Sequence, residues 1–222
     1  MEQLLKSEVD SLLKGRQARN QMIGPFPNVV MQHFDVSNAA FGLVDCKTEA
    51  SPLVNAHQGI VTYVNTNGYT LRFIRYDEYL SAYNESKYSR GIGRCDYLAF
   101  DVDGRSDYFL LNELCEGKLQ NKKQDGTNEL ARTLQFLSGS LRLKDGMALY
   151  KQRLCFLSVK EQQVQSPGGM ADAFNNAVRI IPPIYTLTDR RISNAGFQAY
   201  VSCRIVLDGQ PIVGQTMPRR VR

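Results

Sequence analysis

Two acidic side chains and a lysine are spaced along one part of this sequence in a way that could support metal-dependent phosphate chemistry. Asp96 begins the hydrophobic run 95–101, Glu113 lies at the end of the run 107–114, and Lys118 follows. Two neighbouring carboxylates repel each other unless a proton or a cation lies between them. Their hard oxygen atoms suit Mg²⁺ or Mn²⁺, which also take phosphate oxygens as ligands. Such a metal would polarise a phosphate and lower the pKa of an attacking water, while Lys118 would stabilise the developing negative charge.

The two runs predict a β-hairpin that would place these carboxylates side by side. Both runs have the apolar composition of buried strands, and Asp103-Gly104 between them is a favourable turn dipeptide. In an antiparallel hairpin, the first residues of one strand lie beside the last residues of the next. Side-chain alternation places Asp96 on the same face as Leu98 and Phe100. We therefore expect Asp96 and Glu113 to be neighbours at the open end of the hairpin.

The rest of the chain predicts helices and strands arranged around this hairpin. Apolar residues recur at helical spacing in residues 2–20 and 127–143, whereas residues 115–126 are polar and predict a loop. The Asn67-Gly68 dipeptide lies between two β-rich runs, 59–64 and 69–74, and predicts a second hairpin. Further strands are expected over residues 153–159 and 198–207. A single α/β domain over residues 1–222, with a central mixed β-sheet flanked by helices, accounts for these elements most simply.

The composition is that of an ordinary globular protein, with 43% hydrophobic residues. No apolar run approaches the roughly 20 residues that a membrane-spanning helix needs. The first eight residues mix charges with apolar side chains and do not resemble a signal peptide. We therefore expect a cytoplasmic protein with no membrane partner. The five cysteines form no Cys-x-x-Cys pair, which argues against a disulfide framework and against a structural zinc site.

The net charge of +5 permits an anionic partner without requiring one. The local distribution of basic residues says more than the total. Lys122 and Lys123 follow the second carboxylate, and Arg132 lies on the next predicted helix. These three are secondary candidates for contacts to a nucleic-acid backbone, because Lys and Arg neutralise phosphates.

The order and spacing of these features resemble the PD-(D/E)xK, or restriction-endonuclease-like, nuclease superfamily. Its members have an aspartate at a strand start, a hairpin to a strand ending in Glu-x-Lys, and then a helix and another strand. The matching pieces here are Asp96, Glu113, the helix 127–143 and the strand 153–159, so the resemblance covers about residues 60–160. It implies a restriction-endonuclease-like fold, Mg²⁺ or Mn²⁺ held by Asp96 and Glu113, and hydrolysis of DNA ahead of RNA.

One position departs from the superfamily pattern. Two residues after Glu113, where the superfamily has its lysine, this chain has Cys115, and a thiol is not a fixed cation. Lysine positions migrate in this superfamily, so Lys118, or a helix residue such as Arg132, could replace it. The resemblance also implies a metal ligand from the backbone carbonyl of Leu114 or Cys115.

Cys115 also favours a different class of function. A catalytically degenerate nuclease-like domain could act as a nucleic-acid-binding or protein-interaction subunit, for instance in a bacterial defence system, or as a homodimer. Glu49 and Glu116 are weaker candidates for an additional acidic ligand. A divalent metal between Asp96 and Glu113 would separate the catalytic alternative from the binding alternative.

Overall fold

The protein is described here by a computed structural model that covers residues 1–21, 24–45, 51–83, 88, 90–117, 119–160 and 184–216. This part of the chain contains the helices α1 (Glu2–Arg19), α2 (Tyr76–Ser81), α3 (Leu119–Leu137), α4 (Leu141–Ala148) and α5 (Arg190–Asn194). Its strands are β1 (His33–Val36), β2 (Ala40–Leu43), β3 (Leu53–Val54), β4 (Val61–Asn65), β5 (Leu71–Arg75), β6 (Tyr97–Asp101), β7 (Tyr108–Cys115), β8 (Gln152–Val159), β9 (Tyr185–Thr186), β10 (Gln198–Ser202) and β11 (Arg204–Leu207). Within the described ranges, no helix has the length and apolar character needed to cross a bilayer.

The larger sheet is mixed, with the strand order β1-β5-β6-β7-β8-β10-β9. Strands β5, β6 and β7 form an antiparallel meander, as the predicted hairpin required. Strands β7, β8 and β10 are parallel neighbours. Parallel strands need a crossover connection, and helices α3 and α4 lie in the connection between β7 and β8. These connections place the end of β7 beside the first turn of α3.

The second sheet contains four strands in the order β11-β4-β2-β3. Strand β11 pairs with β4 in parallel, and β4 and β2 pair antiparallel. The predicted strand 198–207 is therefore divided at Cys203: β10 belongs to the larger sheet and β11 to the smaller one. The hydroxyl of Ser202 accepts a hydrogen bond from the Arg204 N–H at 3.0 Å where the chain passes between the sheets.

Two hydrophobic clusters cover opposite faces of the larger sheet. On one face, apolar residues of α1 and α3 such as Leu5, Val9 and Leu134 pack against Leu98 and Leu111 of the sheet. On the other face, residues of the smaller sheet such as Phe41, Tyr63 and Ile205 pack against the larger sheet. The chain thus forms one α/β domain of mixed sheets with helices over one face. The second sheet over the other face was not expected from the sequence.

The hairpin predicted around Asn67-Gly68 is wrong. Strand β4 pairs with β2 and β11, whereas β5 pairs with β1 and β6, so the two strands belong to different sheets. The connecting turn is closed by Asn65, whose side chain accepts from the Tyr69 N–H and donates to the Tyr69 carbonyl at 2.8 and 2.7 Å. These side-chain bonds replace the cross-strand ladder that a hairpin would have formed.

The helix predicted over residues 127–143 begins eight residues earlier and is divided in two. Residues 119–126 continue α3 toward the N-terminus, so the loop predicted over 115–126 is largely wrong. Helix α3 ends at Leu137, and Ser140 caps α4 by accepting the Leu143 N–H at 3.2 Å. A serine cap favours the start of a new helix over continuation of the previous one. Its hydroxyl accepts a backbone N–H that would otherwise bind a carbonyl of the preceding turn.

Candidate functional site

The register of the β6–β7 hairpin brings Asp96 and Glu113 together. Tyr97 pairs with Asn112 and Leu98 pairs with Leu111, so continuing this register by one position places Asp96 opposite Glu113. Leu98 and Leu111 face the helices, and side chains two residues apart on a strand share a face. Asp96 and Glu113 therefore also lie on the helix-covered face of the sheet. Both residues are partly exposed. The predicted juxtaposition of these two residues is therefore present in the structure.

Asp96 is held in place by hydrogen bonds to both neighbouring strands. One of its oxygens, Oδ2, accepts the Leu114 backbone N–H at 2.6 Å, which joins the side chain to the end of β7. Its backbone carbonyl accepts the Tyr76 N–H at 3.0 Å, which joins it to the end of β5. A carboxylate that accepts a backbone N–H has a defined orientation, so Asp96 is fixed before any ligand arrives.

Glu113 lies under the first half of α3. A Cβ atom on Gly126 would be 3.3 Å from the Glu113 Cγ and 2.5 Å from the Leu157 Cδ1. The helix therefore passes close to this side chain, and a larger residue at position 126 would require Leu157 and Glu113 to move. The Glu113 Oε2 atom is buried. The sequence does not predict this contact, because residues 115–126, which include Gly126, are polar and predict a loop.

Cys115 fills the position where the superfamily pattern has a lysine. The residue is only 4% exposed, and its thiol donates to the Gly117 carbonyl with a sulfur–oxygen distance of 3.4 Å. Burial raises the pKa of the Cys115 thiol, nearby Glu113 raises it further, and Lys122 acts in the opposite direction. The Lys122 side chain lies against Gly117, with its Cε 3.7 Å from a Cβ placed on that glycine. Lys122 therefore brings an ammonium group to the neighbourhood of Cys115 and Glu113.

Residues 93–95 connect Asp96 to the middle of α3. Gly93 approaches the helix so closely that an added Cβ would be 2.4 Å from the Thr133 backbone nitrogen. The Arg94 N–H donates to Glu129 Oε2 at 2.9 Å, and the Cys95 N–H donates to Thr133 Oγ1 at 3.1 Å. Glu129 and Thr133 lie one helical turn apart and hold the three-residue segment at two points. These positioning residues were not identified from the sequence, although Gly93 and the four-residue spacing were visible signals.

The Cys95 thiol is buried beside the carboxylates. The residue is 0% exposed, and its Sγ donates to the Tyr97 carbonyl at 3.6 Å. Burial raises the pKa of Cys95 well above its usual value, with further increases from Glu113, Asp96 and Cys155. The thiol therefore stays protonated at neutral pH and does not supply a thiolate ligand or nucleophile.

The remaining predicted site residues have different positions. Lys118 and Glu49 lie outside the described residues. Lys123 is partly buried on α3, and its carbonyl accepts the Thr127 hydroxyl at 2.6 Å. Arg132 is exposed on α3, six residues after the Gly126 that lies over Glu113. Its Cβ lies against Gly93. Glu116 is exposed at the end of β7. Of the predicted basic residues that the structure describes, Lys122 is the one placed near the Glu113 end of β7.

The donor set suits a hard cation that keeps several waters. Within the described ranges, no three His, Cys, Asp or Glu side chains are grouped as a metal-binding set. Two carboxylates on partly exposed residues nevertheless fit Mg²⁺, which proteins bind through one or two carboxylates while substrate phosphates and water complete the shell. They do not fit a closed structural zinc site, which needs four nitrogen or sulfur ligands.

Comparisons of the chain with protein-family models, with curated proteins and with solved structures find no match.

Proposed function

We propose that the protein is a metal-dependent nuclease that hydrolyses phosphodiester bonds in DNA, with RNA as the second choice of substrate. The observation that carries the proposal is the placement of Asp96 and Glu113 at adjacent positions of neighbouring strands, on one face and partly exposed. Two such carboxylates have a strong electrostatic preference for a cation between them. The hydrogen bond from Leu114 to Asp96 supports the proposal because it orients one of the two ligands.

The chain topology supports a restriction-endonuclease-like fold. A helix, α1, precedes the antiparallel strands β5, β6 and β7, and helix α3 then leads to β8, parallel to β7. The PD-(D/E)xK resemblance implies a hairpin followed by a helix and another strand, which is the order of β6, β7, α3 and β8. The two carboxylates lie at the start of β6 and the end of β7, as that resemblance also implies.

Each residue would contribute a distinct step to hydrolysis. Asp96 and Glu113 would bind Mg²⁺ or Mn²⁺, and the ion would supply Lewis-acid polarisation of the phosphate and a more acidic water. Asp96 is oriented by the Leu114 N–H, so it needs little reorganisation on binding. Buried apolar side chains beneath the pair, such as Leu98 and Leu111, lower the local dielectric and strengthen the interactions with charge.

Lys122 is the basic partner that the described residues favour. Its side chain lies against Gly117, near the buried Cys115 thiol that replaces the expected lysine. An ammonium group there would stabilise the negative charge that develops on the transferred phosphate. Lys118 remains the alternative basic partner from the sequence.

Isosteric removal of each carboxylate charge tests the proposal. Asp96→Asn keeps an acceptor for the Leu114 N–H, and Glu113→Gln keeps the side-chain volume under Gly126, so both variants should fold. We expect each to lower the rate of Mn²⁺-supported cleavage of plasmid DNA by about 100-fold or more, because a lost metal ligand costs several kcal/mol of transition-state stabilisation. Lys122→Gln should lower the rate by about 10-fold or more. Asp145→Asn on the exposed face of α4 is the matched control and should cleave as the unmodified protein does.

Calorimetric titration with Mn²⁺ gives a second readout of the same variants. Heat of binding that disappears in both Asp96→Asn and Glu113→Gln, but not in Asp145→Asn, supports the site. Cleavage that persists at the full rate in Glu113→Gln contradicts the catalytic proposal.

A binding function without catalysis is the second candidate, and the burial of Cys115 favours it. A thiol that is 4% exposed cannot replace a phosphate-binding ammonium group. In this alternative, the domain would retain nucleic-acid binding or a protein-interaction role while cleaving nothing. Oligonucleotide binding by a protein that takes up no Mn²⁺ and cleaves no DNA would favour this candidate over the first.

A further inference from the structure

Four arginines on neighbouring parts of the chain are here called the basic strip: Arg16, Arg19, Arg90 and Arg132. Arg16 and Arg19 occupy the last turn of α1. The Arg16 guanidinium donates to the Arg90 carbonyl at 2.8 Å, which joins α1 to the segment that leads into β6. Gly93 of that segment then lies against the Arg132 Cβ on α3. The strip therefore crosses three separate parts of the chain and ends near Asp96.

Three guanidinium groups of the basic strip, those of Arg19, Arg90 and Arg132, are available for an external anion, whereas the Arg16 guanidinium holds the Arg90 carbonyl. Within the described ranges, none of the four takes part in an ion pair, and Arg19, Arg90 and Arg132 are exposed. Six other arginines do have carboxylate partners: Arg72, Arg75, Arg94, Arg105, Arg142 and Arg191. The acids closest to the strip are already engaged, since Glu129 accepts the Arg94 N–H and Asp77 pairs with the Arg94 guanidinium at 3.6 Å.

We infer that the basic strip binds the phosphodiester backbone of the nucleic acid that the candidate site cleaves. Guanidinium groups match phosphate geometry and bind it through paired hydrogen bonds. Gly126, above Glu113, and Arg132 are six residues apart on α3, which is about 9 Å along the helix axis. Phosphates of one strand of a DNA duplex advance about 3.4 Å along the axis, so this interval corresponds to roughly three phosphates. The inference rests on the proposed function and adds the path by which the substrate would reach Asp96 and Glu113.

A matched pair of double variants tests the strip. Arg90→Gln/Arg132→Gln removes two exposed charges whose side chains form no ion pair, and glutamine keeps the Arg132 Cβ contact with Gly93. Lys144→Gln/Lys151→Gln removes the same number of positive charges from α4 and from the opposite end of the β6–β7 hairpin. Because Lys151 pairs with Asp107 at 2.6 Å, this variant controls for the loss of net charge and not for the loss of unpaired groups. Binding of a fluorescein-labelled 20-base-pair DNA duplex is followed by fluorescence anisotropy between 50 and 200 mM salt, in EDTA to prevent cleavage. A single-stranded RNA of matched length distinguishes the two phosphodiester sources.

The unmodified protein should bind the duplex with an affinity that falls as salt rises. In Arg90→Gln/Arg132→Gln, the slope of log affinity against log salt should decrease in magnitude by about 1.8, with roughly tenfold weaker binding at 50 mM salt. The lysine control should stay within about twofold of the unmodified protein. Equal weakening in both double variants, unchanged binding in the arginine variant, or binding to phosphatidylserine vesicles in place of either nucleic acid would overturn the inference.

Failure of the strip and failure of hydrolysis are distinguishable in this design. Asp96→Asn should bind the duplex at least as tightly as the unmodified protein, because it removes a negative charge near the strip. Arginine-dependent binding in a protein that cleaves nothing supports the strip and overturns only hydrolysis. If Arg90→Gln/Arg132→Gln cleaves DNA at low salt as fast as the unmodified protein and binds the duplex with the same affinity, only the strip is overturned.

Discussion

At the scale of single residues, the candidate site combines a well-fixed carboxylate with a buried thiol. Asp96 receives a backbone hydrogen bond from Leu114, whereas Cys115 is buried and held at Gly117. Lys122 approaches the same glycine from the next helix. A positive charge therefore reaches this end of β7 from a helix side chain and not from the strand itself.

Asp10 on α1 provides a residue-scale prediction on stability. Its carboxylate accepts from Lys6 at 2.8 Å, from Tyr83 at 2.6 Å and from Tyr79. Burial alone would raise the pKa of Asp10, but the three hydrogen bonds outweigh it and lower the pKa below its usual 3.8. Because the folded-state pKa is depressed, this stabilisation is present above about pH 4 and is lost as the pH falls through the lowered value.

We expect Asp10→Asn to lower the free energy of unfolding at pH 7 by about 1–3 kcal/mol, because charged hydrogen bonds to two tyrosines and a lysine become neutral. The unmodified protein should lose more of its unfolding free energy between pH 5 and pH 2 than the variant does. Urea denaturation at each pH measures both values. Identical pH profiles for the two proteins would show that Asp10 is not a source of acid sensitivity.

At the scale of elements, the packing of α3 on the sheet depends on glycines rather than on apolar periodicity alone. Gly126 allows the helix to lie over Glu113 and Leu157, and Gly93 allows the preceding segment to meet the helix near Thr133. Glycine usually weakens a helix by about 1 kcal/mol relative to alanine. Close approach to the sheet offsets that cost at Gly126, because a Cβ there would meet the side chains of Leu157 and Glu113.

Two Gly→Ala substitutions in helices should therefore have opposite effects. Gly126→Ala would place a methyl group 2.5 Å from the Leu157 Cδ1, and we expect it to destabilise the protein by about 1–3 kcal/mol through overpacking. Gly15→Ala in α1 meets nothing closer than 3.8 Å and should stabilise the protein by about 0.5–1 kcal/mol. Thermal denaturation measures the midpoint temperature of both variants relative to the unmodified protein. Shifts of the two midpoints in the same direction would contradict this account of α3.

The sequence predicted the β6–β7 hairpin well but assigned β4 and β5 incorrectly. In the first case, the turn dipeptide, the two apolar runs and their short separation all favour local pairing, and the observed register agrees. In the second case, Asn67-Gly68 forms a turn, yet β4 and β5 enter different sheets. Local propensity indicates that a strand forms, but which strands pair with it depends on distant parts of the chain such as β11.

The candidate site was predictable for the same local reason. Asp96 and Glu113 are brought together by one hairpin, so no long-range information was needed to expect them side by side. Gly93, Glu129 and Thr133 could not be assigned in the same way, because their roles depend on where α3 crosses the sheet. The early start of α3 also changed the position of Lys122 from a loop to a helix facing Gly117.

At the scale of the whole molecule, a buried polar network joins the two sheets. Tyr63 of the smaller sheet accepts from the Asn112 amide at 2.7 Å, and Ser158 donates to the Asn112 carbonyl oxygen at 2.6 Å. Asn112 and Ser158 are 0% exposed, so water cannot replace a lost partner at either group. Burial also raises the pKa of Tyr63, and the phenol stays neutral as an acceptor and donor across the physiological range.

Tyr63→Phe should leave the Asn112 amide without its acceptor and lower the free energy of unfolding by about 1–3 kcal/mol. The control is Tyr185→Phe, at a partly exposed position on β9. We expect the control to change stability by less than about 0.5 kcal/mol. Guanidinium denaturation measures the free energy of unfolding of both variants. An equal decrease in both would indicate that the effect of Tyr63→Phe does not arise from the network.

The passage of the chain between sheets at Cys203 has a consequence for the order of assembly during synthesis. Strand β4 ends at Asn65, but its parallel neighbour β11 begins about 140 residues later. At roughly 5–20 residues per second, a ribosome needs on the order of 7–30 s to make that interval. The same late segment supplies β10, the neighbour of β8. Until residues 198–207 emerge, both sheets of the nascent chain keep an open edge that can pair with another chain.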